Sequence, residues 1–265
     1  MPYDENQDEL KKLSDCYEKR QDLKSTFPEV EFGNFQALIN WASAVCNKRW
    51  SDIDYDSLKE YTEWYTKNEK VVNNSIAEKL AQEIIAITNS SPYTTIHSRK
   101  KTDISDHVMT LHIITLENDL KRVLELGVRD GESTVALAEA VSKIGGHLWS
   151  MDISSCNTAK KQISEYGLSE YWTFIQGDDK QLASSWNQEV DHIFVDTSHI
   201  YEDMLNELIL YEKFVRLGGY ITFHDTVSYP DVLRAVKDFL TRTKSKFRFY
   251  NYNNCNGFGI LRKIS

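Results

Sequence analysis

The pattern of apolar and polar positions changes character near residue 120. Before it, Phe35, Leu38, Ile39, Ala42 and Val45 recur at the spacing of one buried helix face, and Ile76, Leu80, Ile84 and Ile87 do the same. The aromatics between them (Trp41, Trp50, Tyr55, Tyr61, Trp64 and Tyr65) are read as helical core, with a sugar- or ring-binding surface as the alternative. Asn89-Ser90-Ser91-Pro92 predicts a break, and a further helix is expected from Ile104 to Asn118.

From Arg122 onward short apolar runs alternate with amphipathic stretches. Strands are expected at Val123–Leu126, His147–Met151, Trp172–Ile175, His192–Val195 and Tyr220–Phe223, and a closing pair at Phe247–Tyr252 and Phe258–Arg262. Helices are expected from Ser133, from Asn157 as a cap, along Tyr201 to Tyr211, and over Asp231–Thr241. Leu217-Gly218-Gly219 is read as the stop of the third of these helices. Alternation of this kind implies a mostly parallel, doubly wound α/β sheet with helices on both faces. The last two strands, with no helix between them, imply an antiparallel edge hairpin. The chain thus divides into a helical region over 1–120 and a ligand-binding α/β domain over 121–265; ten of the eleven glycines fall in the second part.

Charge and composition narrow the partners. A net charge of −9 argues against duplex nucleic acid, which needs a concentrated basic surface. The basic cluster Ser98-Arg99-Lys100-Lys101 is too short to change this and reads as a solvated loop. No apolar run approaches the ~18 residues of a membrane span, and the acidic start Met1-Pro2-Tyr3-Asp4 is not a secretory signal. Cys16, Cys46, Cys156 and Cys255 form no Cys-x-x-Cys pair, so reduced thiols and a cytoplasmic location are expected.

Ligands of an open parallel sheet bind beyond the carboxyl ends of its strands, and polar residues fall at those ends here. Glu125-Leu126-Gly127-Val128-Arg129-Asp130-Gly131 follows the first strand. Gly127 and Gly131 would let the backbone approach a ligand, and Ser133 opens a helix whose free N–H groups favour a carboxylate. The spacing is not the Gly-x-Gly-x-x-Gly of dinucleotide sites, so an amino-acid carboxylate fits better than a pyrophosphate. Asp152 stands where an acid accepts from ribose hydroxyls, with Ile153 beside it. Asp178 could accept from an adenine amino group.

These motifs, with Leu217-Gly218-Gly219, resemble those of class I S-adenosylmethionine-dependent methyltransferases. More narrowly, Val195-Asp196-Thr197-Ser198-His199-Ile200-Tyr201-Glu202 and Gly218-Gly219-Tyr220-Ile221-Thr222-Phe223-His224-Asp225 look like methyltransferase family 24. The resemblance covers about 121–262 and implies a seven-stranded, Rossmann-like methyltransferase sheet. It implies S-adenosylmethionine as cofactor, held by Glu125, Gly127, Arg129, Gly131, Ser133, Asp152, Ile153, Asp178 and Asp196. Arg129 departs from the glycine or alanine of many relatives.

For the reaction, Asp196 and Asp225 end neighbouring strands, so their carboxylates can converge on Mg²⁺ or another divalent cation. His224 would join if the metal were softer. His199 or His224 would take the proton of an acceptor hydroxyl, with Asp196 in the same catalytic group. The expected acceptor is a sugar, glycan or other small molecule, on family analogy. Two alternatives stay open. One is a hydroxylase-like iron enzyme using His199, His224 and a carboxylate; the other is a non-catalytic cofactor-binding module. A homo-oligomer is compatible with either.

Overall fold

Two strands carry the centre of the sheet. β1 (Arg122–Leu126) is buried apart from its first residue, and every residue of β4 (Val190–Val195) is buried. Strands covered on both faces must be apolar throughout or pair their polar groups internally. The polar residues of β4 meet that demand: Asp191 accepts from the Arg122 backbone N–H at 2.8 Å and from Arg216 Nε at 2.7 Å, and His192 Nε2 lies 2.7 Å from Thr222 Oγ1. The computed structural model describes residues 90–265, apart from 99, 101, 245, 253 and 254. The helix faces and aromatics expected before residue 90 lie outside the described residues, as do Arg99 and Lys101 of the basic cluster.

Around β1 and β4 stand β2 (His147–Asp152), β3 (Trp172–Gln176), β5 (Val215–His224), β6 (Phe247–Tyr252) and β7 (Phe258–Lys263). The seven strands run in the order β3-β2-β1-β4-β5-β7-β6. All neighbours from β3 through β5 pair parallel, whereas β7 pairs antiparallel with both β5 and β6. The expected doubly wound sheet and its antiparallel edge hairpin are both present.

Seven α-helices flank the described sheet: α1 (Pro92–Ser98), α2 (Ser105–Glu117), α3 (Glu132–Ile144), α4 (Asn157–Glu165), α5 (Asp179–Leu182), α6 (Tyr201–Tyr211) and α7 (Pro230–Arg242). Val232, Ala235, Val236 and Phe239 form the buried stripe that docks α7 on the core. Helix α2 is buried along nearly its whole length, and the compact unit carrying the sheet begins at Ser91. The sheet-bearing unit therefore starts upstream of the Lys121 boundary drawn from glycine usage, because α1 and α2 pack with α3 as part of the same core. Two local expectations are corrected as well. Leu217-Gly218-Gly219 lies inside β5, where the pairing with β4 shifts register. Asn157 is the first residue of α4 and Cys156, with φ +46°, precedes it without a side-chain cap.

Candidate active site

The chain leaves β1 towards β2 and β3 on one side and returns to β4 on the other. That reversal opens a crevice beyond the carboxyl ends of β1 and β4. The two strand ends come so close that a side chain on Gly127 (φ +89°) would strike the Asp196 carbonyl, so glycine is required there. The resulting cavity, about 590 Å³, is lined by Gly127 to Asp130, Met151 to Ser154, Cys156, Gly177 to Lys180, Asp196 to Ser198 and Glu207.

Six of the nine cofactor residues expected from sequence line this space: Gly127, Arg129, Asp152, Ile153, Asp178 and Asp196. Glu125, Gly131 and Ser133 do not. Glu125 is fully buried behind the loop, accepting from Ser133 Oγ at 2.6 Å, Thr134 Oγ1 at 2.8 Å and Ser150 Oγ at 2.6 Å. Burial pushes its carboxyl up to about 7, against the pull of those three donors. Glu125 and Ser133 thus brace the first strand end against α3. Gly131 is a packing glycine: a Cβ there would meet Ala159 Cβ at 2.6 Å.

Asp152 holds the loop itself. Its Oδ2 accepts from the backbone N–H of Val128 at 2.8 Å and of Arg129 at 3.1 Å, and Oδ1 accepts from Ser154 N–H at 2.7 Å. Partial burial opposes ionisation, but these donors outweigh it and the pKa falls below the usual aspartate value. Ile153 beside it is 73% exposed, an apolar surface over the cavity. Arg129 adopts the left-handed conformation (φ +48°), a backbone that glycine reaches without cost and a bulky side chain seldom does. Its guanidinium grips Asp103 with two bonds of 2.9 Å, anchoring the loop to the segment before α2. Asp178 caps α5, accepting from Lys180 N–H at 3.0 Å.

Beyond this crevice lies a second polar cluster. Asp196, His199 and Asp225 each bring one ligand atom to within 4.8 Å of the others. His199 Nε2 stands 2.7 Å from Asp225 Oδ2 and 3.9 Å from Asp196 Oδ1. The His199 ring stacks on Tyr229 with centroids 3.9 Å apart. The bond to Asp225 raises the His199 pKa. Asp225 is 4% exposed and holds φ +65°, a strained backbone for a non-glycine residue. Burial opposes its charge, but His199 and His224 hold its carboxyl well below the usual range. Asp196 is raised by burial, although a quarter of its side chain still opens to the cavity.

His224 sits differently from what the sequence suggested. Its side chain is 1% exposed, Nδ1 faces Asp225 Oδ2 at 3.3 Å, and Nε2 donates to the Cys255 carbonyl at 3.0 Å. Burial works against its charge, but those partners win and raise it to about 10. With both nitrogens donating, His224 has no lone pair for a proton or a metal. The structure gives the third corner of the metal-type cluster to His199 in its place.

Thr197, Asp179, Lys180 and Glu207 in the crevice, and Tyr229 beside His199, were not singled out from sequence. Glu207 left a trace there, since it falls three residues after Met204 on the buried stripe of α6.

The cation fit rests on the donors around these carboxylates. Asp225 Oδ1 is buried without a hydrogen-bond partner, and among the described residues Asp196 has no cationic group nearer than the two histidines, at 3.9 and 4.0 Å. The two histidines meet Asp225 Oδ2, but the unpartnered Asp225 Oδ1 and the cavity-facing Asp196 leave carboxylate oxygens of the kind a hard divalent cation takes.

Comparison with known proteins bears on the fold. Residues 124–226 match the family described as Methyltransferase domain. The uncharacterized protein R132 of Acanthamoeba polyphaga mimivirus is 42% identical over 50 residues, a match spanning 18% of this chain and only 23% of that protein. The O-methyltransferase TomG of Streptomyces achromogenes, solved with SAM, superposes with a TM-score of 0.53 at 15% identity, covering 80% of this chain and all (100%) of its own. An O-methyltransferase of Bacillus cereus, solved with SAH, gives 0.51 at 16% identity, covering 79% of this chain and 100% of its own. At such identities the likeness is one of fold. Among the described residues, no helix is long and apolar enough to cross a membrane. The match over 124–226 is to a methyltransferase domain, and the strand order is that of the class I S-adenosylmethionine-dependent methyltransferase fold.

Proposed function

We propose that this protein is an S-adenosylmethionine-dependent O-methyltransferase acting on a hydroxyl of a sugar, glycan or small molecule. One observation carries the reading: the cofactor crevice floored by Asp152 and Gly127 opens directly beside the His199–Asp225 pair. S-adenosylmethionine, when bound, supplies an electrophilic methyl group. The loop after β1 and Asp152 hold its amino-acid and ribose parts, and Asp152 accepts from the ribose hydroxyls. His199, fixed by Asp225 at Nε2 and by the Tyr229 ring, keeps Nδ1 for the proton of the acceptor hydroxyl. Most of the rate gain comes from holding donor and acceptor in line.

Asp196 and Asp225, with His199 beside them, would hold a divalent cation, which would supply Lewis acidity at the acceptor oxygen. With His199 Nε2 turned to Asp225 and both His224 nitrogens donating, the two carboxylates favour this over the iron hydroxylase, whose triad takes two imidazole ligands. The named relatives TomG and the Bacillus cereus protein, both O-methyltransferases, support the choice of oxygen as acceptor atom.

The test is a methyl-transfer assay with labelled S-adenosylmethionine, Mg²⁺ or Mn²⁺, and a panel of hydroxylated glycosides and phenols. Label on an acceptor oxygen supports the proposal. Binding of S-adenosylhomocysteine with no transfer across the panel would favour the non-catalytic module.

A further inference from the structure

The loop after β1 carries a residue that sits there at a cost. Arg129 holds φ +48°, a left-handed backbone that strains any residue with a side chain. Its guanidinium is 63% exposed, and the Asp103 carboxylate that it grips is 38% exposed. Even with its two bonds, a pair this open to water does little more than offset the strain. A glycine would make the same turn freely, so the arginine calls for a reason beyond folding.

The pair stands where the crevice meets the polar cluster of Asp196, His199 and Asp225. Arg129 lines the crevice just past the end of β1. Asp196, just past the end of neighbouring β4, donates its N–H to the Leu126 carbonyl at 2.8 Å. On the other side, the Asp103 carbonyl accepts from Cys255 Sγ at 2.9 Å, and the Cys255 carbonyl accepts from His224. The bond from Arg129, aided by the charge of His224, holds the Asp103 carboxyl below the usual aspartate value.

The two cations lining the crevice differ in how firmly they are held. Lys180 Nζ lies 3.4 to 4.0 Å from the carboxylates of Asp178, Asp179 and Asp203. Arg129 is bonded to Asp103 alone, on the connection between α1 and α2, where a released carboxylate returns to water. What the fork already holds shows which anion fits it: a planar carboxylate, in two bonds of 2.9 Å. A phosphate dianion would bring a second negative charge towards Asp130 and Asp196, and a carboxylate brings one.

Resting on the O-methyltransferase reading above, we propose that Arg129 anchors the acceptor by taking its carboxylate in place of Asp103, so that the substrates are hydroxylated carboxylic acids, uronic acids among the sugars. The acceptor hydroxyl then lies towards Asp196 and His199, and Asp103 turns to solvent. Asp103 is the resident stand-in that the acceptor displaces.

The experiment measures transfer from labelled S-adenosylmethionine by the full chain to matched acceptors that differ at one group. The pairs are methyl glucuronide with its carboxamide, and dihydroxybenzoate with dihydroxybenzamide. Wild type is expected to favour a carboxylate member by about tenfold or more in kcat/KM, the scale of a charge-assisted bidentate contact. Arg129→Gln should bring that ratio to about one, and Arg129→Lys, a charge without the fork, should restore part of it. Asp103→Asn removes the competing charge and should lower KM for the carboxylate member several-fold relative to its amide, about threefold or more. Loss of a merely structural anchor would not produce that gain, and this arm decides the matter even if Arg129→Gln fails to fold. Equal rates within each pair in wild type, or no gain in Asp103→Asn, overturns the proposal alone. So does a tenfold fall in S-adenosylhomocysteine affinity in Arg129→Gln with the acceptor ratio preserved, which would give the arginine to the cofactor's own carboxylate. Wild type that methylates no member of either pair or of the wider panel overturns the O-methyltransferase reading and the proposal together.

Discussion

His199 Nε2 lies 2.7 Å from Asp225 Oδ2, and Tyr229 stacks on the same imidazole at 3.9 Å. The ring is thus fixed in direction by a carboxylate and in plane by an aromatic face. His199→Gln should lower turnover by about 10²-fold or more, since general-base catalysis contributes on that scale. S-adenosylhomocysteine affinity should stay within about twofold, because the loop after β1 and Asp152 carry most of the cofactor's hold and His199 does not line the crevice. Steady-state rates beside calorimetry check both halves, and a fully active variant would remove the base assignment.

Asp225 holds φ +65°, so its backbone is strained for any residue with a side chain. Asp225→Gly should relieve that strain while deleting the carboxylate. The expected outcome is loss of turnover and of Mn²⁺ binding by electron paramagnetic resonance, with a lowered melting temperature, because His199 and His224 lose their shared buried carboxylate and that loss outweighs the relief of strain. Wild-type activity after exhaustive chelation would dispose of the cation, and Mn²⁺ binding that survives Asp225→Gly would dispose of this ligand set.

Asp152 accepts three backbone N–H bonds in the loop that shapes the crevice. Asp152→Ala removes a charged acceptor and should weaken S-adenosylhomocysteine binding by roughly 1.5–3 kcal/mol. Asp152→Asn, which keeps one acceptor oxygen, should lose less. Unchanged affinity in a folded Asp152→Ala protein would end the ribose assignment.

Glu125 gives a prediction in pH. Burial raises its folded pKa to about 7 from the 4.5 of an ordinary glutamate, so the folded state binds the proton more tightly. Stability from this group is therefore full below pH 4.5 and is lost as pH rises through 7. The loss amounts to about 3 kcal/mol on the linkage scale of 1.36 kcal/mol per unit. Glu125→Gln should flatten urea-derived stability across that window relative to wild type. A variant with the same slope as wild type would place the titration elsewhere.

Much of the fold was legible because each strand carries its own signal. Val123 to Leu126 and His192 to Val195 are short apolar runs ended by polar turns, and their burial on both faces is what such runs require. Asp152, Asp178, Asp196 and Asp225 could be read as strand-end residues from position alone. Their partners could not. Asp178 was open to either a ligand or a helix cap, and only the folded turn shows it capping α5. Glu125 looked like a cofactor ligand because it ends β1, but alternation along the strand turns it inwards to Ser133, Thr134 and Ser150.

The sequence by itself determined the order of strands and helices, the glycine at 127 and the set of acids at the strand ends, because periodicity and turn chemistry are local. Tertiary structure decided which of those groups face the cavity and which histidine faces Asp225. His199 and His224 are 25 residues apart and chemically alike; the path of the loop after β4 leaves one a third exposed, while the β5–β7 pairing and the Cys255 carbonyl seal the other. Burial and hydrogen-bond partners come from residues distant in the chain, and they fix the protonation state on which each role depends.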